Sequence, residues 1–595
     1  MLNIKTLKIT SDIAFQMYLL SDRKVKRACT EFAFYNVRIY REEKTKTPTV
    51  CIDYPEGNLY WFVDFKKYIT SEILEKDVRY AEDWNKLLNR LKNIIKTEHQ
   101  ALISDVENVT PEEVAKKMRE YDLRDYQAYD MLRLIAKMKH NNVPAGLILS
   151  EQRTGKTRMA VAVCLEKLTT GSNILIVCPK SAQAGWRKEF LDMNKYRKTE
   201  CFKVSVIKKL KDIKENTAYY SDCLNVKIIS YGLFKILSQP QTKDLLDINH
   251  SKDLMFISDE AHRLRNFKTM QSDAIFNLKD ICTKYKLNTT VLGVTGTPAV
   301  KDSSDVFGVF SLINFSKIQF RPYEVAFNIF KEYFYNCEDT SFGKVCKSLR
   351  RSSELTYLLQ SNSVQTKRDS LDLFKNYNLT YLKYDIPMDD AQKEIYESVK
   401  ETMEFGDEID CMNSLVQLIR LQQICIDPSG LVSSYDQLAP KLDWIVKFAK
   451  KNPVQMLVMA KKTQPLKRLE ELFDKEGITY AVYNGSLSLE KRAENEENFH
   501  KHKAQVFLIQ LDAGREALTL PEAKCTIFLD RDFAQGFNEQ AEARMSPVDG
   551  TACTKYVIDL VMSDTIEEGI YNILVHRKQS IDSVNTVYKI CRKEI

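Results

Sequence analysis

Short apolar runs alternate with amphipathic stretches over two long segments of the 595-residue chain. Within residues 120–315, five apolar runs predict strands, at 145–150, 173–179, 226–230, 254–259 and 290–295. A second series of five begins near residue 440 and ends near 580, with runs at 455–460, 478–483, 504–510, 525–530 and 554–560. Apolar strands separated by amphipathic helices are typical of parallel sheets covered on both faces. The pattern therefore predicts two α/β lobes with a cleft between them.

The rest of the chain predicts smaller units. The first 75 residues mix β-branched and aromatic residues in short alternating runs, which predicts a β-rich or α+β module. The stretch EDWNKLLNRLKNIIK then has the three- and four-residue apolar spacing of a helix. We expect six segments: an N-terminal module (1–75), a helical linker (76–119), a first lobe (120–315), helical protrusions with the inter-lobe linker (316–440), a second lobe (441–580) and a tail (581–595).

Composition narrows the class of protein. Hydrophobic residues make up 44% of the chain and charged residues 28%, as in an ordinary folded globular protein. The 14 cysteines form no CxxC pair and the seven histidines no ligand cluster, so free thiols are favoured over a zinc site. No apolar run approaches the ~18 residues that span a bilayer, and the N-terminus lacks a signal-peptide core. We expect a cytoplasmic protein with no membrane segment.

Positive charge is concentrated near the N-terminus. The net charge is only +7, but residues 1–50 hold ten Lys/Arg and five acids, with aromatic side chains among them: Phe32, Phe34, Tyr35 and Tyr40. This mixture fits a surface that neutralises phosphates and stacks on bases. We favour the interpretation that these basic residues form one face of a strand and that the alternate aromatic residues belong to the core. Nucleic-acid binding is the alternative.

Candidate chemistry begins where an apolar strand runs into Asp259 and Glu260. Two adjacent carboxylates at a strand end suit a Mg²⁺-bound nucleotide, because one can hold the metal through water while the other orients an attacking water. An isolated pair of this kind is usually a solvated turn. Upstream, however, GLILSEQRTGKT predicts strand, turn and helix, with Gly155, Lys156 and Thr157 placed to bind phosphates and Mg²⁺. The two segments together predict an ATP site.

Further segments resemble, in chain order, the motifs of the Swi2/Snf2 branch of superfamily 2 helicase-like ATPases. They are LRDYQ (123–127), SEQRTGKT (150–157), CPKSAQAGWRKEF (178–190), IISYG (228–232), DEAHRLRN (259–266), VTGTP (294–298), YNGSLSLEKR (483–492), DAGREALTLPEA (512–523) and NEQAEARMSPVDG (538–550). VQTKRD (364–369) and LIRLQQICIDPSG (418–430) resemble the helical protrusions of that branch. The resemblance covers about 120–580, implies two RecA-like lobes, and looks closest to compact phage or bacterial members.

The resemblance also implies roles for individual residues. Lys156 holds the phosphates, Thr157 and Asp259 hold Mg²⁺, the latter through water, and Glu260 positions the attacking water. Further nucleotide contacts would come from Gln127, which reads the adenine edge, and from Ser150, Glu151, Gln152, Arg153, Thr154, Gly155 and Arg158. His262 would connect the nucleotide site to Thr295.

The second lobe should supply an arginine finger, and Arg544 is the candidate. Gln540, four residues earlier, would share its helical face and point into the cleft; the alternative is a surface pair on an amphipathic helix. The chain departs from the family pattern at Arg153, where glycine is frequent, and at Pro547, where a second arginine is usual. Arg515, at a position that is usually glycine, is a hypothetical replacement for that second arginine.

A DNA translocase is the implied function: ATP hydrolysis would drive movement on duplex or branched DNA in replication, recombination or repair. The protein would be a monomer that holds the phosphate backbone, with expected contacts at Lys180, Ser181, Ser230 and Gly485. Three alternatives stay open. They are a strand-separating DNA or RNA helicase, a motor subunit that serves a nuclease in restriction or defence, and a non-catalytic DNA-binding protein with a decayed motor.

Overall fold

The computed structural model describes most of the chain, namely residues 4–10, 37–41, 43, 45–55, 59–70, 81–140, 143–215, 218–266, 269–296, 298, 303–313, 323–340, 343–349, 351–371, 377–511, 513, 518–532, 535–547 and 553–574. Arg515 and the predicted tail lie outside these residues. Phe32, Phe34 and Tyr35 also lie outside them, whereas the backbone of Tyr40 is described.

The N-terminal module is α+β, as predicted. Three antiparallel strands form a sheet in the order β1-β3-β2, followed by two helices: β1 (Ile4–Thr10), β2 (Val37–Arg41), β3 (Pro48–Pro55), α1 (Leu59–Ile69) and α2 (Ala81–Glu107). Lys5 forms a 2.7 Å ion pair with Glu98 of α2. One of the ten basic side chains of residues 1–50 is therefore paired within the module, and the interpretation as a basic strand face stays a prediction.

The first lobe contains a fully parallel sheet of seven described strands. Their order is β12-β4-β9-β8-β5-β7-β6, and the bounds are β4 (Ala145–Ile148), β5 (Asn173–Cys178), β6 (Phe202–Ile207), β7 (Leu224–Ser230), β8 (Asp253–Asp259), β9 (Asn288–Val294) and β12 (Ser363–Val364). All five strands predicted for this lobe are present. The edge strand β6 escaped prediction because its central residues are only half-buried, so its apolar pattern is weak.

Helices cover both faces of this sheet. They are α3 (Pro111–Tyr121), α4 (Asp125–His140), α5 (Lys156–Lys167), α6 (Ala182–Arg197), α7 (Asp212–Glu215), α8 (Tyr231–Phe234), α9 (Gln239–Leu246), α10 (Met270–Lys284) and α11 (Phe307–Ile313), with 3-10 helices at Ala261–Arg265 and Ser303–Val306. Successive strand residues enter opposite cores: Leu175 and Val177 of β5 pack on one side, Ile174 and Ile176 on the other. Burial on both faces explains why these strands read as continuous apolar runs.

The second lobe repeats this architecture with six described parallel strands. Their order is β13-β20-β19-β16-β18-β17, with bounds β13 (Tyr377–Ile386), β16 (Met456–Ala460), β17 (Tyr480–Tyr483), β18 (Val506–Gln510), β19 (Cys525–Phe528) and β20 (Cys553–Met562). The five predicted strands are again present. Its helices are α16 (Pro440–Lys451), α17 (Thr463–Glu476), α18 (Leu489–His500) and α19 (Gln535–Glu542), with a 3-10 helix at Ala543–Met545.

The segment between the lobes is less purely helical than predicted. It holds α12 (Tyr323–Phe334), α13 (Ser352–Gln360), α14 (Asp390–Thr402) and α15 (Ser414–Ile426), 3-10 helices at Arg368–Ser370 and Pro428–Gly430, and the strand pairs β10 (Tyr335–Thr340) with β11 (Gly343–Leu349) and β14 (Glu404–Phe405) with β15 (Ile409–Asp410). The assignment of VQTKRD to a helical protrusion is wrong, because this stretch contains the end of β12 and a 3-10 helix. Strands β12 and β13 belong to the two sheets, so this segment completes both lobes.

The N-terminal module contacts the inter-lobe segment through buried polar groups. Oδ2 of Asp64 in α1 accepts a 2.8 Å hydrogen bond from the backbone N–H of Glu354 in α13. Both oxygens of Glu354 lie 3.0 Å from the Tyr333 hydroxyl, and burial raises the pKa of this carboxyl to about 7. None of the helices in the described ranges combines the length and apolarity needed to cross a membrane.

A buried ion pair in the second lobe gives a test of the fold. Nζ of Lys441, at the start of α16, lies 2.6 Å from Oε2 of Glu567 and donates to the Leu529 carbonyl at 2.9 Å. Lys441→Met should lower the free energy of unfolding of this lobe by about 3–5 kcal/mol, because the buried Glu567 carboxylate loses its partner. Hydrogen exchange of the β16 and β18 amides during urea titration measures the change.

Lys447→Met is the matched control on the same helix, since Lys447 forms an exposed 2.6 Å pair with Asp443. Its removal should change the free energy of unfolding by less than about 1 kcal/mol. Equal effects of the two substitutions would contradict a special role for the buried pair.

Candidate functional site

The loop at residues 150–157 connects β4 to α5 and has the shape of a phosphate-binding turn. Gly155 adopts φ +75° and α5 begins at the next residue, Lys156. Nζ of Lys156 donates to the Glu151 carbonyl at 3.0 Å. Burial lowers the pKa of Lys156, and the nearby carboxylates of Glu260 and Asp259 partly oppose this shift. The Lys156 ammonium group and the carboxylates of Asp259 and Glu260 therefore lie close together.

Gln127 braces this loop from α4. Its Nε2 donates to the carbonyls of Thr154 at 2.9 Å and Gly155 at 3.3 Å, and its Oε1 accepts from the Arg124 backbone N–H at 2.8 Å. A Cβ added to Gly155 would lie 2.0 Å from Nε2 of Gln127. The loop therefore requires glycine at 155 for both its backbone angle and its contact with Gln127.

The start of the loop is fixed by the inter-lobe segment. The backbone N–H of Thr366 donates to the Ser150 hydroxyl at 3.1 Å, and the Thr366 hydroxyl donates to Asp130 of α4. Burial raises the pKa of Asp130. Ser150 thus occupies the position of the first glycine of the usual motif and uses its side chain as an acceptor.

Asp259 ends β8 with both carboxylate oxygens engaged. Oδ2 accepts from the Trp186 indole N–H at 2.8 Å, and Oδ1 accepts from the Glu260 backbone N–H at 3.0 Å. Burial and the adjacent Glu260 carboxylate raise the pKa of Asp259. Hard oxygen donors beside the Lys156 ammonium group fit Mg²⁺, which usually takes one or two protein carboxylates and completes its shell with phosphates and water.

Glu260 adopts the left-handed conformation, with φ +50°, at the turn that follows β8. Its Oε2 lies 3.3 Å from Nδ1 of His262 and 3.5 Å from the Thr295 hydroxyl. Burial by itself would raise the pKa of Glu260, but the hydrogen bond and charge of His262 and the charge of Lys156 lower it. A depressed pKa keeps this carboxylate ionised, as a group that orients water must be.

His262 and Thr295 are in contact, as the resemblance implied. Nδ1 of His262 lies 3.0 Å from the Thr295 hydroxyl, and both side chains are buried. Beyond Thr295, a Cβ added to Gly296 would lie 3.4 Å from Nζ of Lys156. The segment after β9 therefore packs against both the acid pair and the phosphate loop.

Arg544 and Gln540 of the second lobe are buried, with 8% and 5% of their surface exposed, which rules out the surface-pair alternative. Gln540 lies on α19, which ends at Glu542, and Arg544 lies on the 3-10 helix Ala543–Met545 that directly continues it, so their common helical face stays a prediction. Nη1 of Arg544 donates to the Leu518 carbonyl at 3.3 Å. Nε2 of Gln540 has no hydrogen-bond partner among the described residues.

Two arginines connect the lobes at the turn formed by residues 543–546, which carries Arg544. Arg153 of the phosphate loop donates from Nε to the Ala543 carbonyl and from Nη2 to the Arg544 carbonyl, both at 3.0 Å. Arg368 donates from Nη1 to the Ser546 hydroxyl at 2.8 Å and from Nε to Glu151 at 3.3 Å. The turn that carries Arg544 therefore lies against the phosphate loop.

Buried charges hold α19 in the second lobe. Arg531 binds the carboxylates of Glu542 and Asp559, and the Tyr381 hydroxyl donates to Oε2 of Glu542 at 2.8 Å. Burial would lower the pKa of Arg531, but these two carboxylates raise it. The end of α19, from which the Arg544 turn begins, is thus tied to β13 and β20.

The predicted DNA contacts lie at strand ends in both lobes. Lys180 is exposed and, with Ser181, follows β5; Ser230 ends the neighbouring β7, where its hydroxyl accepts from the Leu233 N–H at 3.3 Å. Gly485 is exposed in the second lobe, and its N–H donates to Gln510 at 3.1 Å.

Arg158, predicted as a nucleotide contact, directs its guanidinium to the end of α3. It donates to the Tyr121 carbonyl at 3.2 Å and to Asp122 at 3.1 Å.

Sequence reasoning gave no site role to three residues that hold site groups in place. Trp186 holds Asp259, Thr366 holds Ser150, and Arg368 holds Glu151. All three lie in segments that resemble the family, Trp186 in 178–190 and the other two in 364–369, but no local pattern indicated which residues they contact.

Comparisons with known proteins agree with this architecture. Residues 126–430 match the model of the SNF2-related domain, and residues 440–546 match that of the helicase conserved C-terminal domain. Similar curated proteins include the DNA repair and recombination protein RAD54-like of Drosophila mojavensis, which is 24% identical over 81% of this chain and 66% of its own length.

The DNA repair and recombination protein RAD54B of Gallus gallus is 24% identical over 71% of this chain and 50% of its own length. The chromodomain-helicase-DNA-binding protein 1-like of Danio rerio is also 24% identical, over 78% of this chain and 44% of its own length. The chain thus spans about half to two thirds of the length of these relatives.

The bond from Trp186 to Asp259 gives a test of the site. Trp186→Phe keeps an aromatic ring against Phe190, 6.2 Å away between ring centroids, but removes the N–H donor. We expect the Mg²⁺ concentration for half-maximal ATP hydrolysis to rise about 10-fold, because groups that orient a metal-binding carboxylate typically contribute 10–100-fold to affinity. Trp444→Phe, in the second lobe, is the control. An unchanged Mg²⁺ requirement in Trp186→Phe would contradict this role.

Proposed function

The chain belongs to the SNF2-related family of helicase-like proteins, and from that premise we propose that it hydrolyses ATP with Mg²⁺ in the cleft between its two lobes. The contact of the Arg544 turn with the phosphate loop carries this proposal, because hydrolysis by such a site needs groups from both lobes. Neither lobe alone holds a phosphate loop, an acid pair and an arginine finger.

We assign the steps to residues of the first lobe as follows. Lys156 holds the phosphate charge, and Thr157 and Asp259 hold the metal, the latter through water. Mg²⁺ would supply charge neutralisation at the phosphates. Glu260 orients the attacking water, and His262 with Thr295 holds the Glu260 carboxylate in place.

From the second lobe, Arg544 stabilises charge on the transferring phosphate, and Gln540 is an additional polar group of the cleft. The burial of both side chains and the contact of the Arg544 backbone with Arg153 of the phosphate loop support these roles. Adenine recognition by Gln127 and compensation for Pro547 by Arg515 remain predictions. In this structure the Gln127 amide is bonded to the loop backbone.

The coupled work is proposed to be translocation on DNA in repair or recombination. The names of the RAD54-like relatives support this task, and exposed strand-end positions of both lobes offer contacts to a phosphate backbone. Alternate opening and closing of the lobes would move Lys180, Ser181 and Ser230 relative to Gly485. A compact phage or bacterial source belongs to the same proposal.

One ATPase experiment tests both parts of this proposal, the hydrolysis of ATP and its coupling to DNA. The purified chain is measured without nucleic acid and with single-stranded DNA, duplex DNA, branched DNA and RNA. We expect stimulation by duplex or branched DNA that falls with salt. Glu260→Gln should lower kcat by about 10²-fold or more while ATP still binds, because only the water-orienting group is lost.

Glu200→Gln is the control for Glu260→Gln, since Glu200 forms an exposed pair with Lys203 on the same lobe.

Absence of hydrolysis with every nucleic acid would contradict the ATPase assignment. Stimulation by RNA or single strands, together with unwinding of a tailed duplex, would favour the helicase. Displacement of a triplex strand without unwinding would favour the translocase, and plasmid cleavage would favour the nuclease-associated motor.

A further inference from the structure

Arg153 lies in a backbone conformation that side chains rarely adopt. Its φ is +66°, next but one to Gly155 at +75°, and the family pattern frequently has glycine at this position. An arginine held there is disfavoured relative to glycine. A residue that persists in such a conformation usually has a side chain with a function that outweighs the strain.

The Arg153 side chain leaves its own lobe. Besides the bonds to the Ala543 and Arg544 carbonyls, Nη2 lies 3.4 Å from the Leu518 carbonyl. All three acceptors are backbone atoms of the second lobe, so their contacts do not depend on which side chains occur there. The guanidinium thus ties the phosphate loop to two separate segments of the other lobe.

Two of these acceptors also determine where Arg544 lies. Nη1 of Arg544 donates to the same Leu518 carbonyl, at 3.3 Å. The Arg544 carbonyl, in turn, accepts from the Leu520 N–H at 2.8 Å as well as from Arg153. Arg153 therefore contacts both the backbone of Arg544 and the acceptor that orients its guanidinium.

The guanidinium groups of Arg153, Arg368 and Arg544 lie close together, and their like charges oppose one another. Burial and the neighbouring charges of Arg544 and Arg368 lower the pKa of Arg153 to about 10, so the group remains protonated near neutral pH. Pro547 follows the turn, at the position where a second arginine is usual. Proline offers no hydrogen-bond donor there.

We propose that Arg153 is a positioning residue that aligns Arg544 with the phosphate loop when the lobes meet. This inference rests on the proposed ATPase function. Arg368 also contacts this turn, through the Ser546 hydroxyl. Arg153 differs from it by contacting the backbone that carries Arg544.

Arg153→Gly tests the proposal without straining the loop, because glycine suits a positive φ. We expect a KM for ATP within about threefold and a kcat lowered about 10-fold or more, since small displacements of a catalytic group cost up to ~10²-fold. Arg153→Lys should recover part of the rate, because lysine restores the charge but not the planar set of donors.

Lys198→Gly is a matched control. Lys198 is also a basic residue of the first lobe at positive φ, +53°, but its side chain is exposed at the end of α6. It should leave kcat unchanged. A wild-type kcat in Arg153→Gly, or an equal loss in Lys198→Gly, would overturn the proposal.

Hydrogen exchange of the nucleotide-free protein separates this inference from the ATPase assignment. Arg153→Gly should accelerate exchange at the Leu520 and Ser546 amides, whose acceptors are the carbonyls that Arg153 also contacts. If the wild-type chain hydrolyses no ATP but this acceleration occurs, the ATPase assignment fails and the anchoring contact stands. Unchanged exchange at both amides would overturn the anchoring contact itself.

Discussion

The structure depends on one contact, that between the phosphate loop at 150–157 and the turn that carries Arg544. Each lobe has its own core and its own parallel sheet among the described residues, but only half of the proposed chemistry. Arg153 and Arg368 bond across this boundary to carbonyl and hydroxyl oxygens of residues 543, 544 and 546. Because these donors are charged, their hydrogen bonds are stronger than neutral ones and directional. Because of this contact, the residues of the two lobes that face the cleft form a single site.

Parallel sheet topology explains why distant motifs converge on that site. Strands β4, β9 and β8 are neighbours, and their carboxyl ends lead to Lys156, Thr295 and Asp259 respectively. Ligands of open α/β sheets bind at this edge. Buried polar groups around it then restrict each side chain: Trp186 holds Asp259, His262 holds Glu260, and Gln127 holds the loop backbone. The acid pair thus differs in its environment, with the pKa of Asp259 raised and that of Glu260 lowered.

Sequence periodicity was sufficient for nine central strands, because strands buried on both faces leave continuous apolar runs such as NILIVC and MLVMA, and for the edge strand β17, whose residues alternate between buried and half-buried. It failed for β6, β12 and β13, which lie at sheet edges, where one side is solvated or the strand is only two residues long. The phosphate loop and acid pair were predictable from local motifs. The bonds of Arg153 and Arg368 to the second lobe were not, because they join residues far apart in sequence. The 3-10 helix at Arg544 could not be predicted, because the helical pattern of the sequence continues past the end of α19.

The central claim is that the two lobes form one composite ATPase site. Steady-state hydrolysis and equilibrium ATP binding by Arg544→Ala, compared with the unaltered chain, test it most directly. The composite site predicts a kcat lowered about 10³-fold, as expected for loss of an arginine finger, with ATP affinity changed only a few-fold. A kcat within about twofold of the unaltered chain would show that hydrolysis needs no charge from the second lobe and would contradict the account.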